Sequence, residues 1–310
     1  MTFWQVFVAP FVDMWTSPVF FVEVLLGGVF AGLMYSLVAL GFVLIFKASG
    51  VFNFSQGAMV LFAALTLVGF MEKGVPVLAA FALTIGAMTI LAIGIERLVL
   101  RPLVNQPQIV LFMATIGLSF FLDGFGEMLW GADVKKLDVG IPEQSFLVAG
   151  VLVNSLELTA ALVAGVLVAV LAVLFQWTRI GRALRAVADD HQAALSLGIS
   201  LRSIWVVVWA VAGLVAVVAG IMWGSRSGVQ FSLSLIALKA LPVLILGGFT
   251  SVPGAIVGGL IIGVGEKVAE IYWGPLVGGA IENWFAYALS LPIVLFRPQG
   301  LFGEKIIERV

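Results

Sequence analysis

Apolar stretches, each close to the roughly twenty residues that cross about 30 Å of hydrocarbon, succeed one another along this chain with only short connections between them. That pattern leaves little choice of fold. Backbone in lipid must satisfy its own N–H and C=O groups, so spanning segments are helices or closed barrels, and runs this long are helical. Composition agrees: 62% of the 310 residues are hydrophobic and 11% charged, with a mean hydropathy of +1.18, more apolar surface than a soluble core of this length could hide. The expectation is one all-α polytopic membrane domain over residues 1–310.

Helices are expected near 19–46, 55–71, 76–96, 108–130, 155–177, 203–223, 234–249, 254–273 and 276–296. The first is long enough to be tilted or broken at Gly41, and the seventh short enough to be part of a crossing. The expected count is therefore about nine, within eight to ten. Lys and Arg in short loops set the orientation. With the N-terminus outside, the cytoplasmic side receives Lys47, Arg97, Arg101, Arg179, Arg182, Arg185, Arg202, Arg297, Lys305 and Arg309, so the C-terminus is cytoplasmic. The outer side keeps Lys73, Lys135, Lys136 and Arg226, while Lys239 and Lys267 fall within helices. Residues 132–154 then face outward, with a short strand or turn over Gly150.

Several chemistries are excluded at once. The chain has no cysteine, hence no disulfide, thiolate metal site or cysteine nucleophile, and its single histidine, His191, cannot form a histidine metal cluster. No catalytic set is visible, no cofactor is called for, and scattered basic residues argue against a nucleic-acid partner. No basic n-region with a cleavage site marks a removable signal peptide.

The second half carries one long charge-rich interruption, Thr178–Ser200, within a cytoplasmic loop over 178–202. Arginines 179, 182 and 185 are followed by Asp189 and Asp190, then Gln192-Ala193-Ala194 and Gly198. Further on, the run from Gly247-Gly248 to Pro253-Gly254 cannot continue a straight helix and marks a reentrant turn or tight connection. Gly254, Gly258, Gly259 and Gly263 then share a helix face suited to close packing, and Gly27, Gly28, Gly32 and Gly41 make a similar, weaker case. Among intramembrane charges, Glu266, Lys267 and Glu270 lie on one helix with the two acids four apart, Asp123 and Glu127 repeat that spacing, and Lys239 is expected to be paired.

Three stretches together resemble the integral-membrane permease of high-affinity branched-chain amino acid ABC importers. They are Gly32–Gly41 leading into Phe52-Asn53-Phe54-Ser55-Gln56-Gly57, the loop GRALRAVADDHQAALSLGI, and Leu238–Gly263; the ending Phe296–Gly303 is similar too. Ala58 departs from the pattern, since many members carry an acid there, which touches substrate identity more than transporter class. The resemblance implies a second, related permease, two cytoplasmic ATPase subunits, a periplasmic binding protein and the lipid bilayer of a bacterial inner membrane as partners. It casts Arg182, Arg185, Asp189, Asp190, Ala193, Ala194 and Gly198 as the coupling element that meets an ATPase. No Gly-x-x-x-x-Gly-Lys-Ser/Thr phosphate loop is present, so ATP hydrolysis belongs to another chain.

Because a zwitterion is costly in hydrocarbon, transport needs a polar route between helices. Asn53, Phe54, Ser55 and Gln56 are the candidate lining element, with an ordinary cytoplasmic turn as the alternative. Gly247, Gly248, Pro253, Gly254, Gly258 and Gly259 are the candidate packing or hinge element. Other readings are a permease of the same class for urea, short amides or another small polar solute, and an ion-coupled secondary transporter, which would bury midplane carboxylates.

Overall fold

Pro18 opens the longest helix of the chain, at the one place in a helix where its missing N–H costs nothing. The structure is a computed structural model that describes residues 3–103, 106–189 and 191–303. Short helices α1 (Phe3–Phe7) and α2 (Ala9–Thr16) precede this long one, α3 (Pro18–Ser49), which passes Gly41 unbroken. Next come α4 (Gln56–Glu72) and α5 (Val77–Gly94), the latter continued by a π-helical turn, Ile95–Leu100, and a 3-10 turn, Arg101–Leu103. α6 (Gln108–Trp130) and α7 (Ser155–Trp177) fall on the ranges read from hydropathy, and the charged interruption follows as α8 (Arg179–Asp189) and α9 (His191–Ser196). α10 (Leu201–Ser227), α11 (Ile236–Gly247, after a 3-10 turn at Phe231–Leu235), α12 (Val252–Tyr272), α13 (Gly274–Val277) and α14 (Phe285–Phe296) complete the chain.

Among the described residues, six helical stretches are long and apolar enough to cross a membrane: Pro18–Ser49, Val77–Leu103, Gln108–Trp130, Ser155–Trp177, Leu201–Ser227 and Val252–Tyr272. Gln56–Glu72, Phe231–Gly247 and Phe285–Phe296 are apolar but shorter. The expected continuous helix over 276–296 is interrupted instead. Gly278, Gly279 and Ala280 take φ of 92°, 83° and 59°, a left-handed run that no right-handed helix accommodates, and after a 3-10 turn at Ile281–Asn283 α-helix resumes at Phe285.

Outside the helices, β1 (Ser145–Val148) pairs antiparallel with β2 (Val151–Asn154), with Val148 opposite Val151. Ala149 and Gly150 make the two-residue turn with φ of 50° and 86°, the positive pair that matches the strands' twist. Asn154 then caps α7, its Oδ1 accepting from the backbone N–H of Leu156 (2.9 Å) and Glu157 (3.1 Å).

The described residues gather into two compact units: Met1–Ser36 with Gly140–Val166 and Lys239–Val310, and Leu37–Val139 with Leu167–Leu238. In the second unit α4 is buried from Gln56 to Gly69, as a helix apolar on all sides must be, and Gly220 of α10 lets that helix rest on the α4 backbone at Val60 and Ala64. In the first unit the glycines of α12 serve two neighbours rather than one. Gly259 and Gly263 lie against Gly28, Gly32 and Ser36 of α3, while Gly254 and Gly258 lie against Val243 and Gly247 of α11. Each pair is four apart and shares a stripe, whereas 258 and 259 diverge by about 100° around the helix.

Candidate functional site

The break between α3 and α4 is made by side chains that replace the missing backbone bonds. Asn53 Oδ1 accepts from the Ser55 N–H (3.1 Å) and hydroxyl (2.6 Å), and Asn53 Nδ2 donates to Gln56 Oε1 at 3.4 Å. Gln56 Nε2 in turn donates to the Ala212 carbonyl on α10, at 3.4 Å. Asn53, Ser55 and Gln56 are fully buried, and Phe54 stands in a ladder of rings with Phe52 and Phe112. Gly41 belongs to this arrangement: a Cβ there would stand 2.6 Å from Gln56 Nε2. So the polar segment is a closed, mutually satisfied kink, and the glycine read as a breakpoint is the seat of a neighbouring side chain.

The charge-rich interruption is a capped pair of short helices. Arg185 donates to the carbonyls of Phe175 (2.6 Å) and Gln176 (3.1 Å), and Arg182 to that of Trp177 (3.2 Å), so both arginines satisfy the orphan carbonyls ending α7. After α9 the chain reverses at Gly198, φ 79°, with Ile199 N–H donating to the Ala194 carbonyl and Gly198 N–H to that of Leu195. Ala194 is buried and Ala193 exposed; Leu195 and Leu197 are exposed too, at 53% and 77%. Asp190, and the side chains of Asp189, His191 and Gln192, lie outside the described residues.

Beside this element is a cavity of about 610 Å³ lined by Glu96, Arg101, Leu195, Gly198, Arg202 and Trp205 among others. Its ion pair was not legible as a pair. Residues five apart diverge by about 140° on an α-helix, but the π-helical turn widens the coil. Arg101 thereby reaches both oxygens of Glu96, Nη2 donating to Oε2 at 2.8 Å and to Oε1 at 3.0 Å and Nε to Oε1 at 3.1 Å, with Glu96 buried.

The connection from Gly247 to Gly254 is tight. α11 ends at Gly247, Gly248 takes φ 105°, and Ser251 caps α12, its Oγ accepting from Gly254 N–H at 3.0 Å. Pro253 sits in the first turn of α12, where proline is tolerated. The family-like ending locks onto this corner, Leu301 and Phe302 N–H donating to the carbonyls of Leu246 and Gly247.

A second charged cluster lies in the first unit. Glu266, buried in α12, accepts from the Tyr35 hydroxyl at 3.0 Å and from Lys239 Nζ at 3.3 Å, and the same Nζ is 3.6 Å from Glu282 Oε1. Lys239 is thus paired as expected. Glu270 does different work from Glu266, accepting the N–H groups of Ala280 and Glu282 and so fixing the turn that presents Glu282. Tyr35 and Glu282 were not picked out in sequence: one sits in an apolar run and the other far along the chain. Asp123 keeps a buried carboxylate oxygen without a hydrogen-bond partner.

A family model described as branched-chain amino acid transport system / permease component matches residues 24–296. The chain belongs to that family. The high-affinity branched-chain amino acid transport system permease protein BraD of Pseudomonas aeruginosa is 29% identical over 307 residues, covering 94% of this chain and 98% of its own. The corresponding LivH protein of Escherichia coli K12 is 26% identical with the same coverage. A chain of the solved structure of PsaBC from Streptococcus pneumoniae in complex with Fab shares the fold, with a TM-score of 0.51 over 89% of this chain and 92% of its own, at 12% identity. This family member is a transport permease subunit rather than an enzyme, and a multi-pass membrane protein.

Proposed function

We propose that the chain is the permease subunit of an ATP-binding-cassette importer that moves branched-chain or related amino acids across the inner membrane by alternating access. The observation that carries this is the family match over residues 24–296, with relatives named for that transport aligned almost end to end. The working complex has a second, related permease, two ATPase subunits in the cytosol and a periplasmic binding protein. Its transmembrane domain, residues 1–310, crosses the membrane about nine times, the three shorter apolar helices joining the six long ones, with the N-terminus outside and the C-terminus inside.

Residues 178–202 couple the domain to an ATPase. Arg182 and Arg185 fix the two short helices to the end of α7, and this stiffness suits a part that transmits force. Exposed Ala193, Leu195 and Leu197 form the docking face, while Ala194 and the left-handed Gly198 shape it. Asp189 and Asp190 add acidic charge to the same coupling element. In the transport cycle the Asn53–Gln56 kink borders the path, and the seams at Gly247, Gly248, Pro253, Gly254, Gly258 and Gly259 let helices move as tightly packed bodies.

Reconstitution tests the reading. The purified chain alone in liposomes neither hydrolyses ATP nor accumulates leucine, and uptake appears only with the ATPases, a second permease and a binding protein. Gradient-driven accumulation by the isolated chain would support the secondary-transporter reading instead. Orientation is tested on intact cells with an impermeant thiol reagent, since the chain has no native cysteine: Ser145→Cys is labelled and Ser196→Cys is protected.

A further inference from the structure

The Lys239 cluster is unlike an ordinary structural ion pair in one respect: it contains one carboxylate too many. Glu266 is buried, its side chain 6% exposed, and its charge is met from two sides by Lys239 and the Tyr35 hydroxyl. Glu282 is different. It is 47% exposed, and Lys239 is its side chain's partner, at the longer distance of 3.6 Å. Lys239 itself remains 30% exposed. One edge of the cluster is therefore sealed and the other is open to an incoming group.

An amino-acid head group is itself an ion pair. If it enters between Lys239 and Glu282, each residue exchanges its present partner for an opposite charge on the ligand, and no charge is left unpaired in apolar surroundings. A simple anion on Lys239 would leave Glu282 without its partner, and a simple cation on Glu282 would make no use of the open edge of Lys239, which Glu266 still holds. The sealed edge makes the exchange practicable: Glu266 and Tyr35 keep Lys239 in place when Glu282 moves off, and Glu270 keeps the Glu282 backbone tethered through its N–H at 3.0 Å. With the N-terminus outside, the 278–284 connection and the nearby end of α12 lie on the outer side, where substrate arrives.

We propose that Lys239 and Glu282 form a head-group site for the transported amino acid, the substrate carboxylate on Lys239 and its ammonium on Glu282, with Glu266 and Tyr35 as positioning residues. This rests on the amino-acid permease reading above. The test uses the assembled permease–ATPase complex without binding protein, and measures equilibrium binding of radiolabelled leucine and its competition by 4-methylpentanoate, which is leucine without the ammonium. For Glu282→Gln, leucine affinity falls about tenfold or more, the scale of one charge-assisted contact. Affinity for 4-methylpentanoate holds or rises, because Glu282 no longer competes for Lys239. The paired change Lys239→Met with Glu266→Gln, which leaves no stranded acid, removes binding of both ligands, and Lys267→Met, outside the cluster on the same helix, changes neither.

An equal loss of both ligands in Glu282→Gln would indicate damage rather than recognition and would overturn the proposal, as would unchanged leucine binding in that variant or in the paired one. Uptake by the fully reconstituted system separates the two levels of inference. Wild-type uptake of leucine together with insensitive variants overturns the head-group site alone; a wild-type system that takes up no amino acid overturns the transport reading and this site with it.

Discussion

Two buried glutamates meet two cations in this molecule, and they are handled in opposite ways. Glu96 is closed off: Arg101, five residues away on the same helical segment, binds it with a bidentate guanidinium and leaves no acceptor over. Glu266 is served by partners far apart in the chain, and its lysine is shared with a second acid at the surface. A guanidinium has a fixed fork that matches one carboxylate, whereas an ammonium is a point charge that can divide itself between two. The first arrangement completes a local structure beside the short helices α8 and α9. The second keeps an exchangeable contact, and in a transporter an exchangeable contact can carry function.

The sharpest way to break this contrast is Lys239→Met alone. It strands Glu266 among apolar helices with only the Tyr35 hydroxyl, a loss of about 3–5 kcal/mol for a buried acid deprived of its cation. The expected readout is a marked drop in monodisperse protein after graded heating in detergent, mostly restored when Glu266→Gln is added. A single variant as robust as wild type would mean that the pair does not neutralise Glu266.

Arg101→Gln is expected to be costly for the same reason but less so, about 2 kcal/mol, because Arg101 is 36% exposed and water can take part of its place. The neutral double change, Glu96→Gln with Arg101→Gln, restores stability and leaves leucine affinity at the wild-type value. A loss of leucine affinity in that double variant would erase the distinction between a closed pair and an exchangeable one.

Tyr35→Phe removes one hydrogen bond to a carboxylate that keeps its lysine. The expected cost is about 1–2 kcal/mol in the same heating assay. No loss at all would place the Glu266 charge wholly on Lys239.

These contrasts also mark how far the sequence could be read. α6 and α7 were legible to the residue because Pro107, Gly131 and the Asn154 cap bound apolar runs on both sides. The run over 276–296 was not, since hydropathy weighs Gly278 and Gly279 as neutral and cannot register their positive φ. The glycines of α12 were recognised as packing residues, but a helical wheel could not show that they divide between α3 and α11. Arg182 and Arg185 read as charges for a partner, and the structure spends them on the carbonyls of α7, an assignment visible only once that helix end is placed. Glu96 and Arg101 escaped notice because their spacing fits no α-helical face, and the pairing of Lys239 with Glu282 depends on a fold that joins distant segments.

The smallest effect separates stability from recognition most cleanly. Glu282 is half exposed and meets Lys239 at 3.6 Å, so its pair belongs with surface ion pairs, which contribute about 0–1 kcal/mol and weaken with salt. Glu282→Gln is therefore expected to shift the heating curve by no more than about 0.5 kcal/mol in low salt and less in high salt, since Lys239 keeps Glu266 and Glu270 keeps the turn. Were Glu282 only a surface partner, its effect on leucine would be as small and would fade with salt in parallel. If it receives the substrate ammonium, the tenfold loss of leucine affinity persists at salt concentrations where the stability difference has vanished, because a contact made inside a ligand-filled site is screened far less than one in open water. Measuring both quantities on one preparation across a salt series decides between these outcomes, and parallel decay of the two would return Glu282 to the status of an ordinary surface acid.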